Sequence, residues 1–140
     1  MLKVEFETIY DVEDMLFQYA VIVSSYQGKW IYCKHKDRET WEIPGGHREP
    51  QERILDTAKR ELYEETGALN FELFPVCTYS VTSDEKRYGL LCYADVKSLG
   101  HLPDSEIELI ELFDAEPNPL TYPQIQPLLF EKVKEVISCN

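Results

Sequence analysis

The stretch that decides the fold is "GGHREPQERILDTAKRELYEETGA", residues 45–68. A helix is predicted from Glu49 or Pro50 to Thr66, because proline suits a first helical turn and acidic residues lie near this start. Gly67 is placed to end the helix, since glycine readily adopts the left-handed conformation that closes many helices. The stretch therefore predicts a tight glycine turn followed by one amphipathic helix.

This helix carries carboxylates beside its apolar face. The apolar side chains of that face are Ile54, Leu55, Ala58 and Leu62. With about 3.6 residues per turn, Glu65 falls within the same arc, Glu61 lies beside it, and Glu64 lies further round the same flank. A partly buried carboxylate is costly unless it pairs with an arginine such as Arg60, protonates, or binds a cation. Oxygen-rich sites of this kind suit Mg²⁺ or Mn²⁺.

The segment before the helix offers further oxygen ligands. Gly45 and Gly46 allow the backbone to come close and can turn carbonyl oxygens toward a metal ion. Glu52 adds another acid at the predicted helix start. Any one of these glutamates also fits a solvated acidic helix after a tight turn. The fixed spacing of the whole set favours a metal site.

The spacing follows a known pattern. Gly46 is followed after five residues by Glu52, after seven more by Arg60-Glu61-Leu62, and then by Glu64-Glu65 and Gly67, each after one residue. This arrangement resembles the signature of the Nudix hydrolases, G-x5-E-x7-R-E-U-x-E-E-x-G-U, where U is a bulky aliphatic residue. Every charged and glycine position over residues 46–68 agrees. Ala68 replaces the last aliphatic residue, which affects packing and not chemistry.

The resemblance implies a fold class and a cofactor. The expected fold is α/β, a Nudix-type α/β/α sandwich with a mixed β-sheet packed between helices, in one domain over residues 1–140. The metal ligands that it implies for Mg²⁺ or Mn²⁺ are the carbonyl of Gly45 and the carboxylates of Glu52, Glu61, Glu64 and Glu65. Arg60 resembles the residue that orients these carboxylates through charge-assisted hydrogen bonds.

Nudix enzymes split a diphosphate linked to another group, so the resemblance implies a metal-dependent pyrophosphohydrolase. Cations that bridge diphosphate oxygens neutralise their charge and acidify a bound water. Two candidates for the catalytic base stay open. Glu61 lies inside the motif, and Glu106 lies in the loop "PDSEIELIELF", where it fits a base, a further metal ligand or a solvated acid.

The substrate is less firmly indicated. In relatives that act on nucleotides, the base lies between the early strands and the segment that enters the last helix, which here includes Tyr19, Thr121 and Tyr122. The expected substrate is a nucleoside triphosphate such as oxidised dGTP, giving a nucleoside monophosphate and pyrophosphate. Other nucleoside diphosphate derivatives, a 5′-triphosphorylated RNA end and a non-catalytic nucleotide-sensing regulatory module stay open. The intact set of motif glutamates favours an enzyme.

Net charge narrows the class of partner. The 140 residues carry 26 acids and 14 bases, a formal charge of -12. This charge argues against binding to a nucleic acid polymer or an anionic membrane. A small anionic substrate can bind if a divalent cation lies between it and the acidic residues of the protein. No apolar run is long enough for a bilayer and no signal peptide is evident, so a cytoplasmic protein is expected. A homodimer is compatible with the resemblance.

The cysteines and histidines give no motif. Cys33, Cys77, Cys92 and Cys139 are isolated, so reduced thiols without a metal are predicted. The three histidines are scattered, and the sequence assigns them no role.

The remaining elements are predicted from composition and turns. A β-hairpin is predicted over residues 17–36, with Gln27-Gly28 as its turn. "WEIPGG" (41–46) is expected to be a short strand that ends at the glycines. Further strands are expected over 71–82, 87–96 and 107–117, and a closing amphipathic helix over 123–137.

Overall fold

A computed structural model describes residues 2–9 and 12–138. Its strands are β1 (Lys3–Glu7), β2 (Phe17–Tyr26), β3 (Lys29–His35), β4 (Gly45–His47), β5 (Ala68–Thr82), β6 (Lys86–Leu99) and β7 (Ile107–Phe113). Its helices are α1 (Ile54–Thr66) and α2 (Gln126–Ser138), and one short 3-10 turn precedes β2. Neither helix in the described ranges is long and apolar enough to cross a membrane.

The strands form one mixed sheet. Their order is β1-β5-β6-β2-β3-β7, with β4 paired to β2 beside this path. Strands β2 and β6 run parallel, and the other described pairs are antiparallel. One core cluster holds the apolar face of α1 and the other holds that of α2. The predicted α/β/α arrangement, with a mixed sheet between helices, is therefore confirmed.

The β2–β3 hairpin opens away from its turn, and this opening positions the glycines. The two strands pair only at Ser25–Trp30 and Tyr26–Lys29. Farther from the turn, Pro44 accepts a hydrogen bond from the Ile22 N–H at 2.9 Å, and β4 takes over as the partner of β2. The chain thereby places the two glycines of β4 in the gap between β2 and α1.

The expectation for residues 41–46 is wrong in one respect, since the strand begins at Gly45 instead of ending there. Absence of a side chain explains the difference. A Cβ atom at Gly45 would lie 2.6 Å from the Ala20 carbonyl oxygen, so only glycine can pair this closely with β2. The sequence rule that glycine ends strands does not anticipate such a close approach.

The predicted start of α1 is also wrong, because the helix begins at Ile54 and not at Glu49 or Pro50. Residues 49–52 form a turn, in which the Glu52 N–H donates to the Glu49 carbonyl at 3.1 Å and Gln51 has a φ of 67°. The end of the helix agrees with the prediction, since Gly67 adopts a φ of 78°. Glu52 therefore lies just before the helix and not in its first turn.

The other elements agree with smaller differences. The hairpin is confirmed, and β5 and β6 extend beyond the predicted 71–82 and 87–96. Strand β7 ends at Phe113 where 117 was expected, and α2 begins at Gln126 where 123 was expected. Strand β1 was not predicted, and it pairs with residues 78–82 of β5.

Candidate active site

A cleft of about 600 Å³ opens where β4, the end of α1 and the start of α2 meet. Among its lining residues are six of the predicted site residues, namely Tyr19, Gly45, Glu61, Glu65, Glu106 and Tyr122. Thr121 lies outside it and lines a separate depression of about 220 Å³ beside Tyr122. The fold thus brings together residues from β2, β4, α1 and two loops that are distant in sequence.

Arg60 organises three of the predicted carboxylates. Its Nε donates to Glu52 Oε2 at 2.7 Å, and its Nη2 donates to Glu52 Oε1 at 2.9 Å, so the pair is bidentate. Its Nη1 donates to Glu61 Oε1 at 2.8 Å and to Glu64 Oε1 at 3.1 Å. The remaining Nη2 hydrogen donates to the His47 carbonyl at 3.0 Å. Arg60 therefore ties the loop before α1 to two carboxylates on the helix.

Glu52 is held from several sides. Besides Arg60, the Thr57 hydroxyl donates to Glu52 Oε1 at 2.6 Å and the Glu49 N–H donates to the same oxygen at 3.1 Å. The Arg60 hydrogen bonds lower the pKa of Glu52 to about 2. Thr57 is fully buried, and sequence reasoning assigned it no role. Glu52 is thus an ionised carboxylate in a fixed position.

Glu61 is packed directly against a glycine of β4. A Cβ atom at Gly46 would lie 1.7 Å from Glu61 Oε2, so this position has no room for a side chain. Burial raises the pKa of Glu61 above its ordinary value, although the charge of Arg60 acts in the opposite direction. Gly46, the first glycine of the signature, therefore makes space for a buried carboxylate at the edge of the cleft.

Glu65 is partly buried and has no cationic partner among the described residues. Its Oε1 accepts a hydrogen bond from the Gly45 N–H at 2.9 Å and lies 3.9 Å from the Cys33 thiol. Burial, chiefly, raises the pKa of Glu65 to about 8, and the negative charges of Glu61 and Glu42 add to the rise. A buried carboxylate facing a cleft without a counter-charge is a favourable place for a bound cation.

The chemistry of these donors fits Mg²⁺ or Mn²⁺. Carboxylate and carbonyl oxygens are hard ligands of the kind that these ions prefer. Within residues 2–9 and 12–138, no three His, Cys, Asp or Glu side chains converge as a ready-made metal site. The carboxylates of Glu52, Glu61 and Glu64 instead turn toward Arg60. The oxygen donors are thus assembled in one place, and cation binding would require some of them to turn from Arg60.

Tyr19 of β2 and Tyr79 of β5 form an aromatic platform on either side of Gly89 of β6. Tyr19 packs on Tyr79 with ring centroids 5.7 Å apart and meets His47 edge-on at 5.9 Å. Gly89 makes this possible, since a Cβ atom there would lie 2.6 Å from both tyrosine rings. Tyr19 thus presents an aromatic ring to the cleft, and its role as a surface for a planar ligand stays a prediction.

The segment before α2 places its two predicted residues differently. Tyr122 is half-exposed at the cleft, and the guanidinium of Arg38 lies 5.9 Å from its ring centroid. The Thr121 hydroxyl instead hydrogen-bonds the Thr40 hydroxyl at 2.6 Å, and its N–H donates to the Trp41 carbonyl. Thr121 therefore fastens this segment to residues 40–41, and Tyr122 is the one that reaches the cleft.

Sequence reasoning missed several residues of the cleft, notably Gln126, Arg87, Glu42 and the histidines His35 and His47. Gln126 is 5% exposed, and its Oε1 accepts a hydrogen bond from the Ile43 N–H at 2.8 Å. Because a backbone N–H must face an oxygen, the amide orientation is fixed. Nothing in the local sequence marks these residues, since only the tertiary fold brings them together.

These features define the class of the protein. It is an α/β sandwich whose cleft, lined by carboxylates, is a candidate site for a divalent cation. Residues 17–129 match the NUDIX domain family. The chain therefore belongs to this family, and the resemblance seen in residues 46–68 is confirmed.

Relatives cover only parts of the chain. YtkD of Bacillus subtilis (strain 168), provisionally named an 8-oxo-dGTP diphosphatase, is 40% identical over 79 residues, which are 56% of this chain and 49% of YtkD. The RNA pyrophosphohydrolase of Bartonella henselae is 37% identical over 68 residues, which are 42% of this chain and 39% of that protein. The chain thus spans half or less of the length of these curated relatives.

The fold is shared more widely than the sequence. A crystal structure of a mutant of the Bacillus subtilis pyrophosphohydrolase BsRppH superposes with a TM-score of 0.79 and 25% identity, covering 96% of this chain and 90% of that one. A UDP-X diphosphatase superposes with a TM-score of 0.73 at 16% identity over 91% of this chain and 66% of that one, which shows likeness of fold alone.

Proposed function

We propose that the chain, as a single domain over residues 1–140, is a divalent-metal-dependent pyrophosphohydrolase that cleaves a phosphoric anhydride in a nucleotide. The observation that carries this proposal is Glu65, a partly buried carboxylate at the cleft with no positive partner in the described part of the chain. Its neighbour Glu61 is also buried, and the two repel each other when both are ionised. A bound cation relieves this repulsion and at the same time attracts a polyphosphate.

The residues that would hold Mg²⁺ or Mn²⁺ are the carbonyl of Gly45 and the carboxylates of Glu52, Glu61, Glu64 and Glu65. When bound, the ion neutralises phosphate charge and lowers the pKa of water. Arg60 positions the carboxylates, because a planar guanidinium binds several of them in fixed directions. Gly46 leaves the room that Glu61 needs.

The reaction transfers a phosphoryl or nucleotidyl group to water. A water oxygen forms a bond to one phosphorus, the bond from that phosphorus to the bridging oxygen breaks, and the leaving phosphate or pyrophosphate takes the electron pair. A carboxylate accepts the proton that the water loses. Both candidates for this base, Glu61 and Glu106, line the cleft.

The substrate that we favour is a nucleoside triphosphate such as oxidised dGTP, converted to a nucleoside monophosphate and pyrophosphate. The apolar and aromatic floor around Tyr19 supports a nucleobase subsite, with Tyr122 at its rim. The fixed amide of Gln126 supports it further, because its Nε2 hydrogens have no partner among the described residues and suit an acceptor on a base. The similarity to YtkD favours the same substrate class.

A second candidate is a 5′-triphosphorylated RNA end, which the similarity to the Bartonella henselae RNA pyrophosphohydrolase favours. It presents the same polyphosphate chemistry, so the carboxylate site serves either substrate. The net charge of -12 disfavours contact with a long anionic strand. We therefore place the small nucleotide first.

A cytoplasmic location is part of this proposal. Cys33, Cys77 and Cys92 are buried free thiols, as expected in a reducing compartment, and Cys139 lies outside the described residues. Free nucleotides are the partners that the proposal requires.

A substrate panel tests the proposal. Purified protein is incubated with Mg²⁺ or Mn²⁺ and with ordinary and oxidised nucleoside triphosphates, nucleoside diphosphate derivatives and a short 5′-triphosphorylated RNA. Released phosphate and pyrophosphate are measured separately. We expect pyrophosphate from a nucleoside triphosphate, a loss of about a hundredfold or more in Glu64→Gln or Glu65→Gln, and no loss in the exposed control Glu72→Gln. Binding of nucleotide without turnover on the whole panel would instead favour a sensing module.

A further inference from the structure

In the wall of the cleft, a histidine of β3 lies between two carboxylates. His35 Nε2 is 3.4 Å from Glu42 Oε2, and His35 Nδ1 is 3.8 Å from Glu106 Oε2. All three residues line the cleft. The imidazole ring is mostly buried, whereas the side chain of Glu106 is 89% exposed. The ring therefore lies between a buried acid and an exposed one.

The inner acid, Glu42, is held firmly. Its side chain is 9% exposed, and Arg38 Nη1 donates to its Oε1 at 3.1 Å. Its backbone exchanges two hydrogen bonds with Cys33 of β3, at 2.9 and 3.0 Å. Since its backbone and side chain are both fixed, Glu42 can set the orientation of the His35 ring.

The outer acid is aimed by an irregularity in the sheet. Along β3 and β7, Lys34 pairs with Leu109 and His35 pairs with Ile107, so Glu108 is an extra residue in β7. Such bulges bend a strand and redirect neighbouring side chains. The extra residue, Glu108, forms an ion pair with Lys34 of β3, and this pair stabilises the bulge.

The backbone of Glu106 is fixed as well. Its carbonyl accepts a hydrogen bond from the Lys36 N–H at 2.9 Å, so the loop is tied to the residue that follows His35. The backbone is thus set while the carboxylate keeps its freedom. A distance of 3.8 Å is too long for a hydrogen bond, but contacts of catalytic groups commonly tighten when substrate binds.

From this geometry we propose that His35 is a positioning residue: oriented by Glu42, it holds the carboxylate of Glu106 over the cleft so that Glu106 accepts the proton of the attacking water. This inference rests on the proposed hydrolysis and assigns its base to Glu106 in preference to Glu61. His35 acts through Glu106 and does not itself touch the reacting atoms. It explains why an exposed loop acid would be found in one place during the reaction.

A double-mutant cycle tests the proposal with the substrate that the panel identifies. We expect Glu106→Gln to lower kcat by about a hundredfold and His35→Ala to lower it by about tenfold, with KM within about twofold in both. The double variant is expected to match Glu106→Gln alone, because His35 has nothing left to position. His35→Gln, whose amide can still donate a hydrogen bond, should recover part of the loss.

His101→Ala is the matched control, since it removes an exposed histidine that does not line the cleft. Melting curves establish that each variant is folded, and His35→Gln carries the test if His35→Ala does not fold. Full kcat in Glu106→Gln, a His35 effect that persists in the double variant, or a change confined to KM would each overturn the proposal. Absence of hydrolysis by the wild-type protein on every substrate would instead refute the proposed function and, with it, this role.

Discussion

Replacing Glu65 by glutamine is expected to have opposite effects on stability and on function. The side chain is buried, and without metal its burial raises its pKa to about 8. A raised carboxyl pKa means that the folded protein prefers the neutral form, so ionisation at neutral pH opposes folding. Glutamine is neutral at every pH and has nearly the same shape. The Glu65→Gln variant should therefore be more stable than the wild type without metal, and inactive with it.

The magnitude follows from the two pKa values. In the unfolded chain the carboxyl group has a pKa near 4.5 and is almost fully ionised at pH 7. In the folded protein its pKa is about 8, so it is mostly protonated. At about 1.4 kcal/mol for each pKa unit, this difference in proton binding lowers the free energy of unfolding of the wild type by about 3 kcal/mol at pH 7. Structural relaxation lowers this figure, so we expect about 1–3 kcal/mol. The advantage of glutamine grows between pH 4.5 and 8 and is nearly absent below pH 4.5.

The assay is urea unfolding of both proteins in a chelator at pH 5, 6, 7 and 8, repeated at pH 7 with Mg²⁺. Without metal, the free energy of unfolding of the variant should exceed that of the wild type by a margin that increases as the pH rises. With Mg²⁺, the wild type should gain stability by linkage and the variant should gain much less. Two results would refute the reasoning: a variant that is less stable at all four pH values, or one that Mg²⁺ stabilises as much as the wild type.

Three other changes test separate parts of the site. Gly46→Ala places a Cβ atom on Glu61 and should lower kcat about a hundredfold. In the control Gly100→Ala, the added Cβ atom meets only the flexible end of Leu69, and kcat should not change. Equal effects of the two substitutions on kcat would contradict the role of Gly46. Glu52→Gln should be less stable than the wild type above about pH 4.5, with the difference vanishing toward pH 2, because protonation of Glu52 removes its pairing with Arg60; urea unfolding at pH 6, 4 and 2.5 measures it, and a constant difference would exclude the pairing as its cause. Gln126→Leu should lower kcat/KM for the preferred nucleotide about tenfold or more and leave inorganic triphosphate unaffected, since only a base meets this amide; an equal loss on both would place Gln126 away from the base.

The sequence predicted those parts of the site that lie on one continuous element. The arrangement of Arg60, Glu61, Glu64 and Glu65 follows from helical periodicity, and the structure shows Arg60 bonded to two of these glutamates. Glu52 was correctly grouped with them, although it lies in a turn and reaches them through Arg60. Local spacing suffices here because all these contacts lie within about two helical turns.

Contacts across the sheet could not be predicted in the same way. His35 belongs to β3, Gln126 begins α2, and Glu106 precedes β7. Their meeting depends on a hairpin that opens to admit β4 and on a one-residue bulge in β7. Neither irregularity has a signature in a single sequence, because turn chemistry and alternation describe regular strands only. The missed start of α1 has a similar origin, since side-chain bonds to Glu52 stabilise a turn where propensity favours helix.

The central arginine explains how so acidic a site folds without its cation. Of the four glutamates of the signature, Glu52, Glu61 and Glu64 accept hydrogen bonds from Arg60. Glu65 has no bond to Arg60, and it lies partly buried in the lining of the cleft. Glu65 therefore has no cation to balance it when it ionises, and with its pKa raised to about 8 it is mostly protonated at pH 7. A cation bound at the cleft would stabilise its ionised form and attract a polyphosphate, although the protein as a whole carries a charge of -12.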